Sequence, residues 1–163
     1  MKLESIHVVM EEDECPDLSY LDTEYDLITE RIYMVDQNGE EQYAEEKVTG
    51  INIISSCRYN QADVETHGWR EVKRWIDEDA ETQNNYGESW ICVGIFAVAI
   101  VTDGRTQVKV STPGLWGIEY SFRRDDHIES IAKEEVASVT ETLRKLGIPD
   151  TEIENMEWVW DET

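Results

Sequence analysis

The sequence has few basic residues, and this shortage is its strongest compositional signal. Lysine and arginine together number 14 against 37 aspartate and glutamate residues, which gives a formal net charge of −23 over 163 residues. Nucleic acids and anionic membranes attract proteins through lysine and arginine, so both are poor direct partners for this chain. A partner protein with a basic groove fits the charge better. Solubility and adaptation to high salt are the alternative explanations.

Long apolar runs, cysteine pairs and histidine clusters are also missing. No stretch reaches the roughly 18 apolar residues of a transmembrane helix, and the N-terminus lacks the basic-then-apolar order of a signal peptide. The three cysteines, Cys15, Cys57 and Cys92, are an odd number without CxxC spacing, which predicts free thiols in a reducing cytoplasm. Short Cys/His spacings are absent too, so we expect no transition metal and no cofactor.

Motifs for catalysis are equally scarce. The chain contains no GxSxG, P-loop or GxGxxG pattern. Cys57 precedes His67 by ten residues and could form a nucleophilic pair with it, but a buried thiol and a surface imidazole are the favoured interpretation. No pair of carboxylates stands out for acid–base work. The sequence therefore predicts a protein that is not an enzyme.

One weak calcium-like pattern is present. Asp77, Asp79, Glu81 and Glu88 match positions 1, 3, 5 and 12 of a calcium-binding loop. Thr82 stands where such a loop needs glycine, and the segment that follows is typical of a strand. A solvated helix end is the favoured interpretation, and we predict no metal site.

The N-terminal part of the chain contains signals for strands. Residues 3–10 predict a first strand, and residues 27–35 and 48–55 predict two more. The turn Asp36–Gly39 contains Asn-Gly, which readily supplies positive φ. We therefore expect residues 27–55 to form a hairpin with a polar tip.

Periodicity changes after the hairpin. A helix is expected after the hairpin, at about 61–80, with Asn60 as its N-cap. Before the hairpin, residues 17–26 are expected to form an ordered loop. Residues 89–101 are apolar at successive positions, which predicts a central strand covered on both faces. Short extended segments follow between 107 and 121.

The clearest helix signal lies near the C-terminus. Residues 126–146 carry one apolar stripe, with Asp126 predicted as the N-cap. An acidic, tryptophan-containing tail follows at 150–163. Together these elements predict one α+β domain over all 163 residues: a mainly antiparallel sheet around the strand at 89–101, packed by helices at about 61–80 and 126–146.

The acids predicted to bind a partner fall in three stretches: a loop near the N-terminus, the hairpin tip, and the first helix with its end. They are Glu11, Glu12, Asp13, Glu14, Asp17, Glu40, Glu41, Glu45, Glu46, Asp77, Glu78, Asp79 and Glu81. Adjoining stretches would form a negative stripe that attracts basic grooves, whereas separate ones would be solvated patches. Trp116 is a candidate aromatic anchor of the same interface, although core packing is the favoured interpretation.

Several segments resemble a group of small acidic proteins from tailed phages and prophages. They are DLSYL at 17–21, SSCRYNQADVETHGW at 55–69, GESWICVGIFAVAIV at 87–101, STPGLWGIEYS at 111–121 and LRKLGI at 143–148. GLWGIE at 114–119, ahead of a C-terminal helix, is the most specific. Two features depart from the group's pattern. Tyr120 stands where an acidic or small residue is usual, and residues 27–50 resemble a hairpin-like insertion.

The resemblance implies a cellular context and no catalytic residue, because the group has no established biochemical activity. A small acidic protein of a mobile element acts inside a bacterial host cell, where inhibitors of restriction and CRISPR nucleases are common and some imitate DNA with carboxylates. We therefore expect an anti-CRISPR or anti-restriction inhibitor that binds the basic groove of a nucleic-acid-processing enzyme. A phage structural or accessory protein acting by self-association or protein contacts is the alternative. The sequence leaves the oligomeric state open.

Overall fold

A computed structural model describes residues 1–161, apart from the side chains of residues 43 and 44. The chain divides into two compact units, one made of residues 1–16 together with residues 87 onwards and the other of residues 17–86. The sequence predicted one domain and did not predict this division. Among residues 1–161, no helix has the length and apolar character that crossing a membrane requires.

The first unit contains a five-stranded sheet. Its strands are β1 (Lys2–Glu12), β4 (Ile91–Thr102), β5 (Gln107–Ser111), β6 (Leu115–Tyr120) and β7 (Trp158–Trp160). Strand β4 is central because it pairs antiparallel with β1 on one side and with both β5 and β6 on the other. Strand β7 runs parallel to β1. The α+β class and the central strand predicted from the sequence are confirmed.

The two faces of β4 are covered unequally. Alternating side chains such as Val93, Ile95 and Ala97 are buried in the core beneath helix α3 (Asp126–Lys145). The other face carries Phe96, which is only partly buried. The sequence predicted cover on both faces, because a run of apolar residues does not reveal which face a helix will occupy.

Helix α3 begins at Asp126, as predicted, but its N-cap lies one residue earlier than predicted. The carboxylate of Asp125, not that of Asp126, accepts a hydrogen bond from the backbone N–H of Ile128 at 3.0 Å and caps the helix. Gly147, at φ 86°, follows the helix and supplies the left-handed conformation that ends it. The tail then forms a short helix, α4 (Asp150–Glu154), before β7.

The second unit is built on the predicted hairpin. Strands β2 (Thr23–Val35) and β3 (Glu41–Ser56) form a two-stranded antiparallel sheet, preceded by one turn of 3-10 helix at Ser19–Leu21. The predicted loop at 17–26 is therefore wrong for its last residues, which already belong to β2. Both strands are longer than predicted: β2 begins four residues earlier, at Thr23, and β3 begins at Glu41 because the polar residues after the turn also pair.

Two helices, not one, pack on this hairpin. Helix α1 (Gln61–His67) begins with a capping box, in which Asn60 and Asp63 each bond the other's backbone N–H. Gly68 breaks the predicted helix at φ 87°, and α2 (Trp69–Asn84) starts immediately after it. Buried residues Ile51 of β3 and Val72 and Ile76 of α2 form the core of this unit.

Candidate functional site

The GLWGIE segment places an aromatic ring flat on the first unit's sheet. Trp116 of β6 lies over Gly94 of β4, and its ring stacks on Phe96 with centroids 6.3 Å apart and planes at 21°. Its indole N–H donates to the carbonyl of Pro113 at 3.2 Å. The side chain is nevertheless 47% exposed. Trp116 therefore combines a fixed position with an accessible face, as an interface anchor requires.

The first acidic stretch borders this ring. Residues Glu11 to Cys15 and Trp116 line a concavity of about 290 Å³. The stretch is held in place because the Asp13 N–H donates to the carbonyl of Cys92 at 2.9 Å, while the Asp13 carboxylate accepts from the Cys15 N–H at 3.1 Å. The Asp13 carboxylate is thus already used in a local hydrogen bond. Glu11, Glu12 and Glu14 are exposed.

A second concavity adjoins the first on the uncovered face of the sheet. It measures about 480 Å³, and its lining includes Val9, Phe96 and Val98 as an apolar floor. Glu11 lines both concavities, which makes them neighbours. We call the combined region the acidic–aromatic face, and define it by Glu11, Glu12, Asp13, Glu14, Phe96 and Trp116. An aromatic centre with a charged border is the usual composition of a protein interface.

The hairpin acids belong to the second unit. The carboxylate of Asp36 accepts the backbone N–H groups of Asn38 at 2.8 Å and Glu40 at 3.0 Å, and these bonds hold its pKa below the usual range. Glu40 and Glu41 therefore follow a well-ordered turn. Glu45 and Glu46 lie on β3, where the Thr29 hydroxyl donates to Glu46 at 3.1 Å.

The acids of α2 are largely paired within their own helix. Lys73 lies 2.7 Å from Asp77, and Arg74 lies 2.7 Å from Glu78. Such i,i+4 pairs stabilise an exposed helix by about 0.3–0.5 kcal/mol each. They also reduce the negative charge that this helix presents.

Asp79 is not a surface acid, so its assignment to the acidic surface is wrong. It is only 8% exposed, accepts from the Arg58 guanidinium at 2.7 Å and accepts from the Tyr59 hydroxyl at 2.7 Å. A buried carboxylate must have such partners. Burial, together with the bond to Asp79, raises the pKa of Tyr59 to about 12. Asp79 therefore joins α2 to the segment after β3.

The predicted stripe does not form within residues 17–86. Helix α2 packs beside Ile51, and Glu41 lies ten residues further along β3, about 33 Å away at the usual rise of a strand. Asp17 precedes the 3-10 turn, where its carboxylate accepts the Ser19 N–H at 3.0 Å and bonds to Ser19 lower its pKa. Glu81 is exposed on α2. The acids at the hairpin turn and those on α2 are thus separate patches.

The calcium-like residues are not brought together as a loop. Asp77, Asp79 and Glu81 all lie on the continuous helix α2, where alternate positions point in different directions. Glu88 belongs to the other unit. Within residues 1–161, no group of three or more His, Cys, Asp or Glu side chains is arranged to hold a metal ion.

Cys57 and His67 are the residues that were considered as a nucleophilic pair. The thiol expected to be buried, Cys57, is exposed, and the His67 ring packs edge-on against Trp75 with centroids 5.1 Å apart. The buried thiol is that of Cys92, whose pKa is raised by its burial.

Sequence reasoning missed part of the acidic–aromatic face. Phe96 appeared only as one residue of an apolar strand, although it supports Trp116. A possible signal was Gly94, since a glycine inside a strand often marks the close approach of another group. The apolar residues exposed on the hairpin were missed as well, and they include Met34 (66% exposed) and Val35 (65% exposed).

Comparison with known proteins gives no relative. No protein-family profile matches the chain, and no curated protein or solved structure is significantly similar to it. Geometry and charge are therefore the observations that bear on the function of this protein.

Proposed function

We propose that this protein binds a partner protein through the acidic–aromatic face and catalyses no reaction. The supporting observation is that Trp116, fixed but 47% exposed, borders the same concavity as Glu11, Glu12 and Glu14. In its specific form the proposal is a phage or mobile-element inhibitor. It acts in the bacterial cytoplasm on a nucleic-acid-processing defence enzyme such as a CRISPR or restriction nuclease.

Charge favours a basic groove as the surface that this face binds. The net charge of −23 accelerates encounter with a positive cleft. Carboxylates spaced along a surface can occupy positions that phosphates take in a nucleic-acid channel. Exposed ion pairs contribute only about 0–1 kcal/mol each, so several acids and an apolar anchor are needed together. Trp116 supplies that anchor, since buried tryptophans are among the largest contributors to binding.

The test compares two variants with the same change in charge. The first is the triple substitution Glu11→Lys, Glu12→Lys and Glu14→Lys on the face. The matched control is Glu134→Lys, Glu154→Lys and Glu157→Lys, at exposed positions of the same unit outside the face. Binding to purified nucleases is measured at low and high salt. We expect the face variant and Trp116→Ala each to weaken binding at least about tenfold, and the control to weaken it much less.

Three outcomes would count against the proposal. Equal losses in both triple variants would mean that only net charge matters. An affinity that does not change with salt would exclude a charge-driven complex. A stable oligomer in light scattering, without affinity for any nuclease, would support a structural or accessory role instead.

A further inference from the structure

The hairpin exposes apolar side chains along β2. Every residue from Leu27 to Val35 is exposed, and the large apolar ones are Leu27, Ile28, Ile32, Tyr33, Met34 and Val35. In the described part of the chain, β2 pairs only with β3. A two-stranded sheet is marginally stable alone, and a long apolar edge strand is a template for pairing with another chain. The edge of β2 that faces away from β3 could therefore pair with one further strand.

The edge of β3 differs because the chain itself covers part of it. The Ile53 N–H donates to the side-chain carbonyl of Gln61 at 3.2 Å, and the Gln61 amide donates to the carbonyl of Ile51 at 3.4 Å. Further along, β3 carries four charged residues, namely Glu41, Glu45, Glu46 and Lys47. Charged side chains discourage strand addition. Within residues 27–35 of β2, only Glu30 and Arg31 are charged and could discourage strand addition.

The two faces of β2 define what could pair beside it. Side chains alternate along a strand, so Glu24, Asp26 and Glu30 share one face with the apolar Ile28, Ile32 and Met34. The acids of this face lie toward its start, and its last residues are apolar. The other face carries Tyr25, Leu27, Thr29, Arg31, Tyr33 and Val35. A neighbouring strand places its own alternate side chains against each face. Basic residues would therefore meet the three acids, while apolar residues would lie beside Ile32 and Met34 and beside the other, mainly apolar face.

We propose that the edge of β2 receives an extended segment of a partner protein, with lysine or arginine at the alternate positions beside Glu24, Asp26 and Glu30 and apolar residues elsewhere. A second copy of this chain is a poor occupant. The hairpin from 23 to 56 carries eight acids and two bases, so two hairpins repel each other. The inference is independent of the acidic–aromatic face, since it uses a different unit and backbone pairing.

The experiment uses the full chain and a synthetic peptide of alternating lysine and valine. Hydrogen–deuterium exchange reports where the peptide binds. We expect amides within 24–31, beside the three acids, to exchange at least about tenfold more slowly with the peptide. A peptide of the same composition with its lysines grouped together should give much less protection. The same alternating peptide with methylated backbone nitrogens should also fail, because it cannot pair as a strand.

Two variants with equal charge change separate strand addition from general attraction. Glu24→Lys, Asp26→Lys and Glu30→Lys on β2 should abolish the protection. Glu41→Lys, Glu45→Lys and Glu46→Lys on β3 of the same hairpin should retain it. Equal losses in the two variants, or protection that survives backbone methylation, would overturn the inference. So would a stable dimer whose β2 amides are already protected without peptide. If the β2 variant fails to fold, the methylated peptide decides on the wild-type protein.

Discussion

The indole ring of Trp116 lies so close over Gly94 that a methyl group at position 94 would overlap it. Gly94→Ala should therefore displace the ring and lower the free energy of unfolding by about 1–3 kcal/mol, as overpacked sites do. Denaturant unfolding measures this change, and partner binding should weaken at the same time. The control is the same substitution in a Trp116→Ala background, where no ring remains to be displaced. There Gly94→Ala should cost much less, and an undiminished cost would show that the ring is not the cause.

Asp79 should behave as a structural residue. Asp79→Ala leaves Arg58 and Tyr59 without their shared acceptor, and we expect it to lower the free energy of unfolding by about 2 kcal/mol. Asp77→Ala on the same helix removes only an exposed pair and should cost no more than about 0.5 kcal/mol. Chemical denaturation of both variants makes the comparison. Equal effects would contradict the structural role of Asp79.

The raised pKa of Tyr59 predicts that the protein loses stability in alkali. Its pKa rises from 10.0 to about 12 on folding, so the folded protein holds this proton more tightly than the unfolded chain does. The resulting stabilisation is complete below pH 10.0 and is lost as the pH rises toward about 12. Unfolding measured across this range should show the decline in the wild type and a smaller one in Tyr59→Phe. A decline of equal size in Tyr59→Phe would contradict this role of Tyr59.

The three thiols should differ in reactivity. Cys15 and Cys57 are exposed, whereas Cys92 is 2% exposed and its thiolate is disfavoured first by burial and then by the charges of Asp13 and Glu119. A thiol reagent should label two cysteines of the native protein quickly and the third only after unfolding. The double variant Cys15→Ser, Cys57→Ser should show almost no native labelling. Rapid reaction of that variant would mean that the edge of the sheet opens.

The cap of α3 predicts a sensitivity to acid. Backbone hydrogen bonds, first that from Ile128, lower the pKa of Asp125 in the folded protein. Its contribution is therefore present above the unfolded pKa and is lost as the pH falls through the folded one. Asp125→Ala should decrease the thermal midpoint at neutral pH and have less effect in acid. Asp126→Ala, one residue into the helix, should have the smaller effect at neutral pH, and the reverse order would contradict the observed cap.

Local sequence signals were sufficient for the regular elements. The stripe from Ile128 to Leu143 predicted α3, and the apolar run after Trp90 predicted β4, because both patterns are set by repeats of a few residues. Gly68 was harder to interpret. Apolar residues continue on both sides of it, so the pattern predicted one helix, whereas its positive φ separates two.

The candidate site could not be predicted in the same way. Trp116 meets Glu11 only because β1 and β6 both pair with β4, across about a hundred residues of sequence. The burial of Asp79 likewise depends on Arg58 and Tyr59, which come from a different segment. Such contacts depend on long-range pairing, and composition shows only that acids are numerous.

The order of strands has a consequence for synthesis on the ribosome. Strand β1 emerges first, but both of its neighbours, β4 and β7, are encoded much later. Residues 17–86 form a compact unit of their own, which can fold before the neighbours of β1 are synthesised. A nascent chain stalled before β4 should thus hold a folded hairpin unit and an exposed apolar N-terminal segment, which is the form that chaperones would meet.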